Sequence, residues 1–321
     1  MDLAVQCGRP LLLRQPFPAE AVDRVILGCV NVLAEEMNPA RVAALRLGLG
    51  RDLPAYTVQI NCGSGMLSID KGCQDIRAGE AELVLAGGAE ALSQAPVYFR
   101  QGAVNWFAQL NGAKIPTERL KYLARFRPAF FKPVIGLLRG LTDPVVDLNM
   151  GQTAEVLGYL FDISREEADR YAAESHHRLA RAQEEERLSS EVVPAFSTDG
   201  KCFSRDDGVR PDTTPARLSM LKPVFEKPWG KVTAGNSSQI TDGASWVILA
   251  SEAAVEKHDL EPLAKIVDCQ WSALDPAIMG LGPVLSATEL LKRNGGPDLN
   301  GIDLWEINEA FAAQVLACLK A

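Results

Sequence analysis

Histidine is scarce in this chain: three in 321 residues, and two of them, His176 and His177, are neighbours in a charged stretch. No Cys-x-x-C pair occurs among the seven cysteines Cys7, Cys29, Cys62, Cys73, Cys202, Cys269 and Cys318, which lie far apart and are odd in number. These shortages argue against a zinc ribbon, any other metal site and a disulfide framework. Positive charge is in deficit as well. Lys and Arg number 33 against 41 Asp and Glu, a formal net charge of −8, which argues against a general nucleic-acid surface. No signal peptide is visible, and no apolar run reaches the roughly 18 residues that would span a bilayer. Few aromatics, 47% hydrophobic and 23% charged residues leave an ordinary soluble α/β protein, long enough for two domains and a large core. The expectation is a reduced, cytoplasmic protein.

What is present is concentrated in residues 56–92, YTVQINCGSGMLSIDKGCQDIRAGEAELVLAGGAEAL. Residues 56–60 are apolar and β-branched, which predicts a short buried strand. Residues 61–65, Asn-Cys-Gly-Ser-Gly, predict a tight turn. From 66 to 77 the spacing of Met66, Ile69, Cys73 and Ile76 predicts a helix with one apolar side. A second strand is expected over 82–86, closed by Gly87 and Gly88. Cys62 thus sits where a strand becomes a helix. There the free N–H groups and the helix dipole favour an anion, so its thiol pKa should fall. Cys62 is the candidate nucleophile; the bland alternative is a small buried residue at a helix start. Cys73, on the apolar side of the helix, reads as core.

Around this stretch the spacing predicts a helix over 3–13, a strand over 24–30, and a helix over 40–49 opened by Asn38-Pro39 and ended by Gly50. Strands alternating with helices of this length predict a parallel sheet covered on both faces. Residues 93–149 break the rhythm: they are loop-rich and basic, with Lys114, Arg119, Lys121, Arg125, Arg127, Lys132 and Arg139 interleaved with Leu, Phe, Tyr and Ile. Such a reversal of sign reads either as a surface for an anionic ligand tail, an acidic partner or a membrane, with peripheral contact through 114–141, or as a solvated lid. Pro128 and Pro133 interrupt any long amphipathic helix there. Helices are expected from Met150 and from Ser164 to about residue 188. An irregular stretch over 189–230 and a Gly/Ser/Asn loop over 232–242, leading to a helix or turn at Gly243, come next. A strand over 246–250 and a helix over 251–258 follow. A linker at 259–262 precedes expected strands over 263–269 and 304–307 and helices over 285–293 and at the chain's end. Ile60-Asn61-Cys62 and Ile307-Asn308-Glu309 share a form, and two such strand ends facing one another would build a cleft.

Six ordered motifs then give the chain a family resemblance. They are N-C-G-S-G at 61–65, A-G-G-A-E at 86–90, M-G-x-T-A-E at 150–155, A-G-N-S-S-x-x-x-D-G-A at 234–244, M-G-x-G-P at 279–283 and N-E-A-F-A at 308–312. With them the chain resembles the thiolases, acyltransferases that use coenzyme A. The resemblance implies an α/β fold of two similar halves, each a mixed sheet layered between helices. It places the first half at 1–258, with a loop or lid region at 93–230, and an incomplete second half at 259–321. It implies thiolytic cleavage of 3-ketoacyl-CoA, or the reverse condensation, through an acyl thioester on Cys62. Asn308 would hold a water of the oxyanion hole. Met150, Ser238 and Met279 would line the pantetheine channel, and Phe311 would lie beside the acyl group. Coenzyme A enters as substrate, with no bound cofactor and no metal. A homodimer or tetramer is implied, with a β-oxidation multienzyme partner as a further option.

Several expected features are missing. Asn149 stands where many members have a histidine. The Gly-His-Pro and Cys-x-Gly motifs of the family's second half do not occur in these 321 residues, nor does the first strand of its first half. The expectation is therefore that these residues alone are unstable or inactive in Claisen chemistry. Robust thiolysis by a monodisperse 321-residue product would overturn it. The rival reading is a non-catalytic thiolase-like subunit or fragment that binds acyl-CoA, a partner chain or a membrane.

Overall fold

The computed structural model describes residues 1–293 and 299–321. Helix α1 (Asp2–Leu13) leads to strand β1 (Arg24–Gly28), helix α2 (Pro39–Leu47), strand β2 (Ala55–Val58), helix α3 (Ser64–Arg77) and strand β3 (Leu83–Ala91). An excursion follows: strands β4 (Val97–Tyr98) and β5 (Val134–Ile135) pair around helices α4 (Gln101–Gly112) and α5 (Pro116–Leu123), and α6 (Gly136–Gly140) comes next. Helices α7 (Met150–Leu160) and α8 (Arg165–Glu184) lead to the hairpin β6 (Ala195–Phe196) and β7 (Cys202–Phe203) and to helix α9 (Pro215–Ser219). Strand β8 (Asp242–Ala250) then returns to the first sheet, followed by α10 (Glu252–His258), α11 (Gly282–Arg293) and α12 (Ala312–Lys320).

The sheet has the order β2-β1-β3-β8, with β1 parallel to both neighbours and β8 antiparallel to β3. Side chains alternate across it with the period of two that a strand imposes. Val25, Leu27, Leu83 and Leu85 face a core shared with α1, α2 and Trp246, while Ile26, Val84 and Ala86 face Ile69, Cys73 and Ile76 of α3. Burial on both faces explains why β1 reads as a continuous apolar run. Helices cover both faces, and the antiparallel β8 makes the sheet mixed, as the family resemblance implies, rather than all-parallel, as the alternation of strands and helices suggests. The missing first strand of the family's first half leaves no gap in this sheet, because Arg24–Gly28 pair directly with residues 84–88. Trp246 binds this sheet to α1: its indole N–H donates to the Ala4 carbonyl at 2.8 Å.

Glycine is where local reading and structure part. Gly87 and Gly88 do not end β3; pairing with Trp246 and Ser245 of β8 carries the strand through them to Ala91, and a Cβ on Gly87 would strike Ser245. Likewise Gly243 lies inside β8, which begins at Asp242 rather than at Trp246. Helix α2 ends at Gly48, left-handed at φ 83, two residues before Gly50. Gly28 is required for close approach: a Cβ there would collide with the backbone of Ser64, at the head of α3. Gly28→Ala is expected to lower stability by about 1–3 kcal/mol, the usual cost of forced overpacking. The urea midpoint measures it, and an unchanged midpoint refutes the close approach.

Other expectations fail for want of partners. Residues 263–269 and 304–307 are not strands. Among the described residues no strand pairs with them, and Leu263, Val267 and Leu304 are exposed. The excursion at 93–149 is largely short helices rather than loop. Pro128 heads a 3₁₀ turn, and Pro133 precedes β5. Helix α8 stops at Glu184, short of 188, with Glu186 in the left-handed region at φ 54. Helix α10 begins at Glu252, because Ser251 is its cap and accepts from the Ala254 N–H at 3.0 Å.

Candidate active site

Between β2 and α3 the chain reverses over residues 59–63. Asn61 takes the left-handed conformation at φ 49, which asparagine tolerates better than most residues. The buried Ser64 locks the turn. Its hydroxyl accepts from the Ile60 N–H at 2.9 Å and donates to the Asn61 carbonyl at 2.6 Å. Gly63 is the N-cap of α3 and no side chain caps the helix. Cys62 thus stands one residue ahead of the cap, exposed to solvent. Burial pushes the thiols of Cys7, Cys73, Cys269 and Cys318 above the ordinary value. Cys29 rises to about 11, by burial first and the Glu90 carboxylate second. Cys62 and Cys202 are the two exposed thiols, and of these only Cys62 lies just ahead of a helix N-terminus. The Trp271 ring lies against Gly63 and its indole N–H donates to Asp70 at 2.9 Å, so residues after the linker reach the Cys62 turn.

A second locus forms where the loop at 231–238 meets α7, α8 and the segment 308–312. The buried Glu155 of α7 accepts the backbone N–H groups of Lys231 and Val232, at 2.8 and 2.9 Å. Asp169 of α8, also buried, accepts from the Asn236 side chain at 2.9 Å and from Arg165 at 2.7 Å. Burial raises the Asp169 carboxyl, while these two partners pull it down. Held in this way, the loop runs beside the second segment. Ser238 N–H donates to the Ala310 carbonyl at 2.8 Å, Ala312 N–H donates to the Asn236 carbonyl at 3.0 Å, and Ser237 bridges Phe311.

Ser238 and Asn308 line one cleft of about 1320 Å³ with Tyr171, Ser175 and His176 of α8. Asn308 does not head a helix; α12 begins at Ala312, with Phe311 as its N-cap. Phe311 meets Phe225 edge-on at 6.3 Å, and the Phe225 ring packs on Gly151, beside Met150. Met279 is partly exposed in a 3₁₀ turn whose Gly280 carbonyl accepts from Gln314 at 3.2 Å. Met150, Ser238, Met279, Asn308 and Phe311 therefore belong to segments packed on one another around α7 and α12. Cys62 is not among the residues lining the cleft. The facing of two strand ends does not arise, because residues 304–307 join no sheet that would fix their end against β2. Asn149 is structural: it forms a capping box with Gln152 at the head of α7. No histidine stands at the Cys62 turn. His258 packs on Phe17 at 5.4 Å, His177 lies 2.8 Å from the Thr213 carbonyl, and His176 accepts from the Arg210 N–H at 3.3 Å. Burial, then Arg210, push His176 below its ordinary value.

Sequence reasoning missed the cluster around Glu309. The Tyr171 hydroxyl donates to Glu309 at 2.6 Å, Ser175 donates to its other oxygen, and Arg178 lies 3.7 Å away. The i, i+4, i+7 spacing of Tyr171, Ser175 and Arg178 on one helix face was the available signal. Burial first, then Glu309, push the Tyr171 phenol up to about 12 from 10.0. Its contribution to stability is whole below the ordinary value and is lost as pH rises through about 12. Absorbance titration of Tyr171→Phe is expected to lack the phenol that ionises near 12; its persistence would refute the assignment. Among the described residues, no group of three His, Cys, Asp or Glu is arranged to hold a metal.

Comparisons with known proteins agree with the motif reading. A family model described as "Thiolase, N-terminal domain" matches residues 1–253, and one described as "Thiolase, C-terminal domain" matches 260–321. The mitochondrial 3-ketoacyl-CoA thiolase of Rattus norvegicus is 40% identical over 326 residues, covering 100% of this chain and 76% of that protein. The crystal structure of the Bacillus anthracis acetyl-CoA acetyltransferase superposes with a TM-score of 0.88 at 35% identity, over 99% of this chain and 76% of that one. Human mitochondrial 3-ketoacyl-CoA thiolase in complex with CoA gives 0.86 at 39% identity, over 99% and 75%.

Proposed function

The chain belongs to the thiolase family of acyltransferase enzymes, and from that premise we propose that it moves an acyl group between 3-ketoacyl-CoA and coenzyme A through a thioester on Cys62. The sulfur of Cys62 attacks the 3-keto carbon as thiolate. The bond between C2 and C3 breaks, its electron pair passes to C2, and a proton added there completes acetyl-CoA. The thiol of a second coenzyme A then takes the acyl group and Cys62 is freed; condensation is the same sequence reversed. The observation that carries this reading is the exposed Cys62 at the head of α3, its turn locked by the buried Ser64.

In this proposal Asn308 holds a water against the developing oxyanion, Met150, Ser238 and Met279 line the coenzyme A channel, and Phe311 bounds the acyl group. Ser238 and Asn308 sharing one cleft supports their joint role. Seven free cysteines support a reducing compartment such as the cytoplasm, and a homodimer or tetramer belongs to the same proposal. The test is intact-mass measurement after incubation with an acyl-CoA. One acyl adduct on Cys62 is the expected result.

The second reading, a non-catalytic subunit that binds acyl-CoA, a partner chain or a membrane, is favoured by one observation: no histidine stands at the Cys62 turn to act as its base. No adduct, with partner or ligand binding retained, would select that reading.

A further inference from the structure

Residues 97–141 pack chiefly among themselves: α4 against α5 and the 3₁₀ turn at 128–131, β4 against β5, and β5 against α6. A cluster of half-exposed rings ties them together, with Phe99, Phe126 and Phe131 themselves open to solvent. Phe99 meets Phe107 at 5.8 Å and Phe131 at 5.7 Å, while Trp106 meets Phe126 at 5.5 Å and donates its indole N–H to the Tyr122 carbonyl at 2.7 Å. Beside those rings a set of aliphatic side chains is exposed as well. Leu120 is 69% exposed and Leu138 60%, and Ile115, Leu123 and Ile135 are also exposed. Between them stand Arg100, Lys114, Arg119, Lys121, Arg125, Arg127, Lys132 and Arg139, against the single carboxylate Glu118, in a chain of net charge −8. None of these eight cations forms an ion pair among the described residues.

We infer that residues 97–141 are a membrane-contacting unit that lies on an anionic lipid bilayer, its cations among the headgroups and its exposed leucines at the acyl boundary. Charge complementarity and the interleaving of the two residue types carry this. Unpaired Lys and Arg are drawn to an anionic leaflet, and apolar side chains set among them gain by entering its boundary. A second copy of the chain docking by the same face would bring like charge against like charge. An acidic protein would satisfy the cations but leaves the intervening leucines without a reason. No helix among the described residues is long and apolar enough to cross a membrane, so the contact is interfacial.

The test is flotation of the full chain with vesicles of phosphatidylcholine alone and with phosphatidylglycerol added. Binding is expected only with the anionic lipid, and it should fall as salt rises. Arg119→Glu with Lys121→Glu and Arg125→Glu should weaken partitioning by about a hundredfold, at roughly fivefold for each cation lost. Leu120→Ser with Leu138→Ser should weaken it at least tenfold, at about one methylene-rich side chain withdrawn from the boundary apiece. All five positions lie in this unit, outside the sheet, and each variant's melting temperature is compared with the parent's. Absence of parent binding to anionic vesicles overturns the inference. So does undiminished binding of the double leucine variant, which would mean simple charge adhesion. So does a parent chain that sediments as an oligomer taken apart by the charge reversals, which would make the face a contact between copies.

Discussion

Replacement of Cys62 by alanine is expected to remove the acyl adduct entirely, while the same replacement at Cys202 leaves it intact. Both thiols are exposed, so access alone does not separate them. What separates them is position: Cys202 lies in the short strand β7, whereas Cys62 precedes an α-helix that no side chain caps. An anion is stabilised at such a helix end, and the thiolate is the reactive form. The five other thiols are held protonated by burial, Cys29 most of all, at about 11. In an acyl-transfer assay in which the parent turns over, the loss at Cys62 should be on the order of 10⁴-fold or more, as for a removed covalent nucleophile. Folding stability should shift by no more than about 0.5 kcal/mol, because the side chain is exposed. Peptide mapping of the acylated protein decides the matter: acyl groups on Cys202, or uptake by Cys62→Ala equal to the parent's, would sink the assignment.

The second large effect is structural. Glu155→Ala strips the acceptors from the backbone N–H groups of Lys231 and Val232. Val232 is buried, and an orphaned buried donor costs about 1–3 kcal/mol, so the pair is expected to cost about 2–4 kcal/mol. Glu155→Gln keeps one acceptor oxygen and should cost about half as much. The damage reaches the cleft, because the loop held by Glu155 carries the Ser238 N–H that donates to Ala310 beside Asn308. Urea unfolding of the two variants tests the ranking. A loss below about 1 kcal/mol for Glu155→Ala would show that water replaces the carboxylate there.

Glu155 also shows how a motif can be seen while the role of one of its residues stays hidden. It is the acid of M-G-x-T-A-E, and the acids of two other motifs behave alike. Glu90 accepts the N–H groups of Val30 and Asn31 at 2.9 and 3.0 Å, and Asp242 accepts from Ser93 N–H at 2.9 Å. All three carboxylates hold backbone donors from segments 59 to 149 residues away. Nothing in their local spacing announces such partners. The capping box of Asn149, by contrast, is local: its signal was Gln152 three residues on.

By itself the sequence determined what depends on near neighbours. Helical spacing located α3 and α8, the apolar run located β1, the turn at 61–65 set Cys62 ahead of a helix, and the ordered motifs identified the family. The tertiary structure decided what depends on distant partners. Only pairing to Trp246 and Ser245 carries β3 through Gly87, and only the want of a paired strand leaves residues 263–269 and 304–307 outside a sheet. The same holds for the site: Ser238 and Asn308 meet because a loop is bonded to a segment some seventy residues further along. A strand's backbone donors and a buried carboxylate's oxygens are satisfied across space, and that satisfaction has no period in the sequence.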